Sequence, residues 1–452
     1  MKRNKFIQTG KIIVMALLIG NSGMAQTVNQ FSAQQAVDYG LKNSNQVKNA
    51  LLDVLIQEQS NKDLTSAALP HINVSGTITD YLDIPVTLIP ASLFDTTAPA
   101  NKYTPFKFGT KWNSGATVSF SQVLFDGQVF AGLAARKVIV SQKQRAAEIT
   151  EINIKANIYK IYYQLVASKT QIDLLDANIE RLNKLSHDTK EIYKNGFAEK
   201  IDVDRLSVQI ANLQTEELTT KNSILNGYTG LKILMGMPVK DSLVLTDTLN
   251  DDQIKQGVLE SSNYNYSDRK EYQLLQLANQ LNQLSVKRYN RSQIPTLYFN
   301  GVYGKQAYSA DNDFDIFDAN NSWYTTSYIG LQLSIPIFNG FSTRAKIQES
   351  KLQLRQSQNQ LEDIKLSIDN DVAVARNNFA TAIATMDFQK QNMQLAETVY
   401  DQTKKKYETG TGSLTDINNS DTDLKTAQAN YISALYDAII AKIDFLKAVG
   451  KL

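Results

Sequence analysis

Two periods alternate along this chain. Ile347, Leu354, Leu361 and Ile368 recur every seven residues, and after a four-residue step so do Val372, Phe379, Met386, Met393, Tyr400 and Tyr407. An earlier series, Ile158, Leu165, Ile172, Ile179, Ser186 and Tyr193, keeps the same spacing and is broken only by Ser186. On segments otherwise rich in Gln, Asn, Lys and Asp, such a stripe predicts long helices that pack along a narrow seam and keep the opposite face wet. An ordinary coiled coil would carry the same stripe. Neither glycine nor proline falls between Gly132 and Gly196 or between Gly340 and Gly410. Each gap has room for one helix of about 100 Å at ~1.5 Å per residue. Further runs free of both, 197–226 and 413–449, follow each gap.

The second period is two. Ile72, Val74, Gly76 and Ile78 alternate with Asn73, Ser75, Thr77 and Thr79. Ala116, Val118 and Phe120 alternate with Thr117, Ser119 and Ser121. Leu297, Phe299, Gly301 and Tyr303 form a third such segment, and Ile329, Leu331 and Leu333, alternating with Gly330, Gln332 and Ser334, a fourth. Apolar residues alternating with small polar ones suit a strand with lipid on one face and water on the other. A half-buried soluble hairpin gives the same pattern, so the weight lies in four such strands grouped as two matching pairs.

The pairs match because the chain repeats itself. Leu124-Phe125-Asp126-Gly127 leads through a rod to Tyr193-Lys194-Asn195-Gly196, and Ile337-Phe338-Asn339-Gly340 leads to Tyr407-Glu408-Thr409-Gly410. The halves continue through Asp202-Val203 and Asp416-Ile417 and close on Gly236 and Gly450, without a gap from tyrosine to glycine. Each half reads helix, strand, loop, strand, long helix, tip, helix. Pro70 and Pro295 mark the passage from helix to strand, while Asp126 and Asn339 are placed to cap the helix that follows. The expected organisation is a first repeat over 26–237 with its tip near 194–202, a strap with weak periodicity and a short helix over 238–267, and a second repeat over 268–452 with its tip near 408–416.

Lipid offers no partner to backbone groups, so a four-stranded sheet with open edges cannot remain in a bilayer. Two copies would give eight strands, whose interior side chains just fill, whereas three give twelve and a lumen. The polar inward faces favour three. The fold class is therefore an α+β membrane protein: a trimeric 12-stranded β-barrel with four strands per chain, continued by a long α-helical barrel, from two tandem structural repeats. The inter-strand segment 82–111 holds four of the eight prolines, and Lys305 to Ser322 is acidic. Trp112 and Trp323, the only tryptophans, stand just before the second strand of each pair, where an interfacial belt would place them. A core role is the alternative for both.

Composition narrows the compartment. Lys2, Arg3, Lys5 and Lys11 precede the apolar run Ile12 to Ile19 and the small-residue site Gly23-Met24-Ala25, which reads as a signal peptide over 1–25. Its removal takes away four positive charges and no acids, so the formal net charge moves from +2 to about −2, which speaks against nucleic acid. Without cysteine, neither disulfides nor thiolate metal sites can form. His71 and His187 lie too far apart in the pattern to make a site. No phosphate loop, nucleophile elbow or metal-ligand cluster occurs. Asp311, Asp313, Asp315 and Asp318 faintly resemble a calcium loop but lack its glycine and distant glutamate, so solvated surface is the plainer reading. The chain reads as no enzyme, with no cofactor and no metal.

The tip Tyr407-Glu-Thr-Gly-Thr-Gly-Ser-Leu-Thr-Asp416-Ile417, its first-half twin Tyr193-Lys-Asn-Gly-Phe-Ala-Glu-Lys-Ile-Asp202-Val203, and the opening from Phe31 to Asn45 resemble the TolC-like outer membrane efflux protein family. The likeness runs from Phe31 to Gly450. It implies a trimer in the cell outer membrane, a helical barrel in the periplasm, an equatorial collar, a periplasmic adaptor (membrane fusion protein) and an inner-membrane transporter. It further implies a closed state made by inward coiling of the second-repeat tip. There Asp416 would form a constriction ring, and Tyr407 and Asp202 would join the network that holds it. Gly196, Phe197, Ala198 and Gly410, Thr411, Gly412 would meet the adaptor. This chain departs from the family pattern at Gly412, where a linking arginine is often found, and at Asn419, where a second acidic ring would lie.

From the residues themselves, Asp202 and Asp416 serve equally as helix caps and the tip glycines as turn formers. The expected function is the outer membrane exit duct of a tripartite efflux system, passively conducting small molecules. A duct for type I protein secretion shares the architecture. A trimeric coiled-coil surface fibre is the third reading, and it predicts a single anchor rather than two strand pairs and two tips.

Overall fold

A computed structural model describes residues 28–249, 251–255, 264–310 and 322–452. The expected signal peptide and the acidic residues Asp311 to Asp318 lie outside them. In chain order the elements are β1 (Val28–Phe31), α1 (Ala33–Asn43), α2 (Asn45–Ser66), β2 (His71–Asp80), β3 (Val86–Pro90), β4 (Tyr103–Lys107), β5 (Trp112–Phe125), α3 (Gly127–Lys194) and α4 (Lys200–Met235). There follow β6 (Ser242–Leu245), α5 (Asp251–Lys255), α6 (Lys270–Arg291), β7 (Thr296–Ser309), β8 (Trp323–Ser334), α7 (Ser342–Glu408) and α8 (Leu414–Ala448). The glycine-free gaps are single helices, α3 of 68 residues and α7 of 67. Their seven-residue stripe is the inward one: Ile158, Ile368, Met386 and Tyr400 are buried, while Leu352, Leu366 and Leu395, off the stripe, are exposed.

The chain divides into two compact units. One comprises 1–44, 157–251 and 389–436. Here β1 and β6 pair in parallel, Val28 opposite Ser242 through Phe31 opposite Leu245. The strap expected to be irregular thus carries a strand, invisible by pattern because four residues show too little alternation to read. Tyr162, fully buried, fastens this pair: its hydroxyl donates to the Phe31 carbonyl at 2.9 Å and accepts from the Thr246 and Asp247 amides at 3.2 and 3.1 Å. Gly236 ends α4 at φ +72°, where a Cβ would stand 2.3 Å from the Asn43 carbonyl oxygen.

The other unit comprises 45–156, 252–388 and 437–452. Its centre is an antiparallel four-stranded sheet in the order β2-β5-β7-β8. β5 and β7 run side by side from Trp112–Ser309 to Phe125–Leu297, with one register shift after Val123. β2 and β8 form the two edges and pair on one side only among the described residues. Ile72, Val74 and Ile78 on β2 and Ile329, Leu331 and Leu333 on β8 are exposed. Segment 82–111, expected as a loop, contains the antiparallel ribbon β3–β4. Its prolines hid it: Pro90 ends one five-residue strand and Pro105 lies within the other, where proline is tolerated only at an edge.

The two passages from sheet to rod differ. Asp126 caps α3 as expected, its Oδ1 accepting from the Gln128 amide at 2.7 Å. Asn339 does not cap α7. Gly340 and Phe341 both take left-handed φ values, +63° and +64°, and the extra turn puts Phe341 where the cap should be. The Asn339 amide nitrogen instead bonds the Thr343 hydroxyl.

Candidate functional site

The two tips are built alike. At the first, the Phe197 amide reaches back to the Ile192 carbonyl at 3.0 Å across Gly196, which takes φ +80°. At the second, the Thr411 amide reaches the Lys406 carbonyl at 2.9 Å across Gly410 at φ +75°. Asp202 and Asp416 occupy the third position of α4 and α8. The Asp202 carboxylate accepts from the Glu199 amide at 3.3 Å. Asp416 Oδ2 accepts from the Ser413 amide at 3.3 Å and from its hydroxyl at 2.7 Å, while the Asp416 amide donates to that hydroxyl at 3.1 Å. This reciprocal box satisfies two orphan donors of the helix start. The Ser413 hydrogen bonds hold the Asp416 carboxyl below the usual carboxylate range. Within one chain, both acids therefore do the work of caps.

Between the tips lies an apolar core in which Leu182, Leu185, Leu206 and Leu213 of the first helix pair meet Leu414 and Ile417 of the second. Tyr407 packs against it and brings its hydroxyl 3.4 Å from Thr189 Oγ1. Of the residues expected to share a network, Tyr407 thus meets α3 at Thr189, and Asp202 is engaged by its own cap. Phe197 is exposed, as are Gly410 and Thr411, while Gly412 is half-buried. Asn419 is exposed and lines a shallow groove of about 500 Å³ with Ile201, Arg205, Val208 and Thr415.

Sequence reasoning missed the polar centre of this region. Arg181 of α3 donates through Nε to Asp421 of α8 at 2.9 Å and through a terminal nitrogen to Asn178 Oδ1 at 2.6 Å, and its guanidinium lies 4.6 Å from the Tyr400 ring centre. Asn178 donates onward to Gln428 at 3.3 Å, and Lys425 pairs with Glu216 at 2.6 Å. Asp421 is buried, which pushes its carboxyl above the ordinary range, with Arg181 partly opposing. The only signal for Arg181 was its place two residues past Ile179 of the stripe, and any surface arginine can have such a place.

The second functional region is the sheet. Trp112 faces Asp80 on β2 and Ser309 on β7, and Trp323 faces Ala307, so both tryptophans reach the same end of the sheet, half-buried. Among the described residues no group of three or more His, Cys, Asp or Glu could hold a metal, and no helix is long and apolar enough to cross a membrane. Strands that cross a membrane as a barrel need no such helix.

These features have counterparts in known proteins. The family model "Outer membrane efflux protein" matches residues 273–451. The outer membrane protein TolC of Vibrio cholerae is 24% identical over 344 residues, covering 75% of this chain and 76% of its own. The alkaline protease secretion protein AprF of Pseudomonas aeruginosa is 22% identical, covering 72% and 67%. In backbone, the outer membrane protein VceC of Vibrio cholerae superposes with a TM-score of 0.70 over 92% of this chain and 96% of its own, at 15% identity. The chain is similar to TolC-like outer membrane efflux proteins in sequence and in fold. It is an outer membrane protein, and its long helices lie in the periplasm. The family is one of efflux or secretion ducts, not of enzymes.

Proposed function

We propose that the chain is the outer membrane exit duct of a tripartite efflux system, acting as a homotrimer. One observation carries this: the sheet presents two long edges, β2 and β8, each paired on one side only among the described residues and each bearing exposed apolar rows. In lipid such edges must find strands. Three copies joined β8 to β2 make a closed wall of twelve strands, wide enough for a lumen. The polar alternate residues, among them Ser75, Thr77, Gln332 and Ser334, then face water inside.

The rods continue the lumen, and the tips close it. Three Asp416 carboxylates around a narrow throat repel one another and attract cations, so one residue serves as cap within a chain and as constriction ring between chains. Tyr407, Asp202 and Asn419 border the same throat. Gly196, Phe197, Ala198, Gly410, Thr411 and Gly412 form the surface for a periplasmic adaptor, which links the duct to an inner-membrane transporter. The likeness to an alkaline protease secretion protein supports a second reading, the exit duct of type I protein secretion.

Purified protein in planar bilayers tests the reading. Trimers should conduct, with Asp416→Asn reducing cation preference. A trimer that never conducts, even with Asp202 and Asp416 neutralised, defeats the duct; such silence belongs to a surface fibre. Copurification separates the two ducts, since a polypeptide client with an ATP-driven transporter marks secretion and a small-molecule pump marks efflux.

A further inference from the structure

The ribbon β3–β4 carries exposed apolar side chains on both faces. Partners opposite one another in an antiparallel pair share a face. Val86, Leu88 and Pro90 therefore stand with Lys107, Pro105 and Tyr103 on one side. On the other, Thr87 and Ile89 stand with Phe106 and Thr104, and Phe106 lies 6.1 Å from Phe94 and 5.6 Å from Phe108 between ring centres. Leu88 is 64% exposed, Phe94 69% and Phe108 74%. Only five charged residues, Asp83, Asp95, Lys102, Lys107 and Lys111, occur between 82 and 111. A lone two-stranded ribbon is marginal in water, and a soluble surface seldom carries apolar area of this density without a partner.

The stem identifies that partner. The ribbon follows the wall after a short unpaired step: Asp80 pairs with Trp112, the Tyr81 amide donates to the Lys111 carbonyl at 2.8 Å, and pairing resumes at Val86 and Lys107. It is thus rooted on β2, an edge that a sister chain completes in the trimer proposed above, and the present inference rests on that reading. Roots then recur every four strands, about 19 Å apart along the wall at ~4.8 Å per strand. Twelve strands at ~4.8 Å each close a ring with a radius of about 9 Å before tilt. A five-residue strand extends roughly 17 Å, so each ribbon is long enough to reach the axis and its sisters. We propose that the three ribbons of a trimer pack their apolar faces against one another and cap the outer mouth of the duct.

The protein has no cysteine, so single introduced thiols report cleanly. Leu88→Cys and Phe94→Cys are placed in the full-length protein and treated in outer membrane vesicles with a short bifunctional maleimide. The expected result is loss of most of the single-chain band to linked chains at both positions. Native mass spectrometry of the same samples reports assembly independently. Trimers whose ribbon thiols remain unlinked overturn the cap and leave the duct reading standing, whereas absence of trimers removes both. Thiols that stay unlinked yet are shielded from a water-soluble maleimide only when lipid is present make lipid the cover, and this too overturns the proposal. Replacing residues 84–109 with two glycines should raise single-channel conductance; an unchanged conductance in an intact trimer counts against the cap.

Discussion

Arg181 and Asp421, 240 residues apart in sequence, form an ion pair at 2.8 Å with the Asp421 side chain only 8% exposed. The pair joins α3 to α8 and lies against Tyr400 of α7, so one guanidinium ties together three of the four tip helices. Arg181→Met leaves a buried carboxylate without its partner, at a cost of about 3 kcal/mol, the low end for such losses because Arg181 is itself partly exposed. Hydrogen exchange should quicken around Leu182, Leu206 and Ile417. Arg181→Met with Asp421→Leu should recover most of the protection, because no charge is then stranded.

The same carboxylate sets a pH dependence. Burial raises the Asp421 value, so the folded chain holds this proton more tightly than the unfolded chain. Its contribution to tip stability grows as pH falls through the raised value and levels off below the ordinary 3.8. Asp416 acts in the opposite sense: its depressed value contributes stability above 3.8 that is lost as pH falls through the folded value. In Asp421→Asn, tip protection factors corrected for intrinsic exchange should lose the gain on acidification and keep the Asp416 loss.

Cap and ring separate at Asp416. Ser413→Ala removes the hydroxyl of the box, and exchange in the first turn of α8 should quicken several-fold while ion preference stays as it was. Asp416→Asn should change ion preference as well. Equal effects of both variants on current–voltage curves would remove the ring from the account.

Two left-handed glycines should answer differently to alanine. Gly196→Ala meets open space and costs only the left-handed conformation, about 1–2 kcal/mol. Gly236→Ala meets that cost and the Asn43 carbonyl as well, so the backbone must shift. Thermal unfolding in detergent should show a small loss for the first and a much larger one for the second. Tyr162→Phe, which strips the Thr246 and Asp247 amides of their acceptor, should fall between them at about 1–3 kcal/mol.

On β8, Leu331→Arg puts a charge in the apolar row and Gln332→Arg puts one in the polar row. If lipid faces the first, it should cost about 2–4 kcal/mol and reduce membrane-assembled protein, whereas the second should assemble and alter conductance. Heat-modifiability on gels reads both.

What the sequence disclosed was whatever repeats over many residues. The heptad stripe from Ile347 to Tyr407 and the alternation from Ile329 to Ser334 each sum a weak preference over enough positions to be read, and both rods and all four wall strands were legible. The ribbon escaped because five-residue strands containing Pro90 and Pro105 give no period, and β6 escaped for the same brevity. The Arg181–Asp421 pair escaped for another reason: its members are brought together by packing between helices distant in sequence, and nothing local distinguishes them from solvated charges. Asn339 shows the reverse error. A good cap by composition was displaced by the backbone turn at Gly340 and Phe341.

The unfinished margins of the sheet also bear on biogenesis. Under the proposed trimer, a chain that has not yet met its sisters carries two open ladders that accept any extended polypeptide, so every solitary moment invites wrong company. Yield then depends on how quickly siblings meet, a matter of supply and escort, more than on how durable the finished wall becomes.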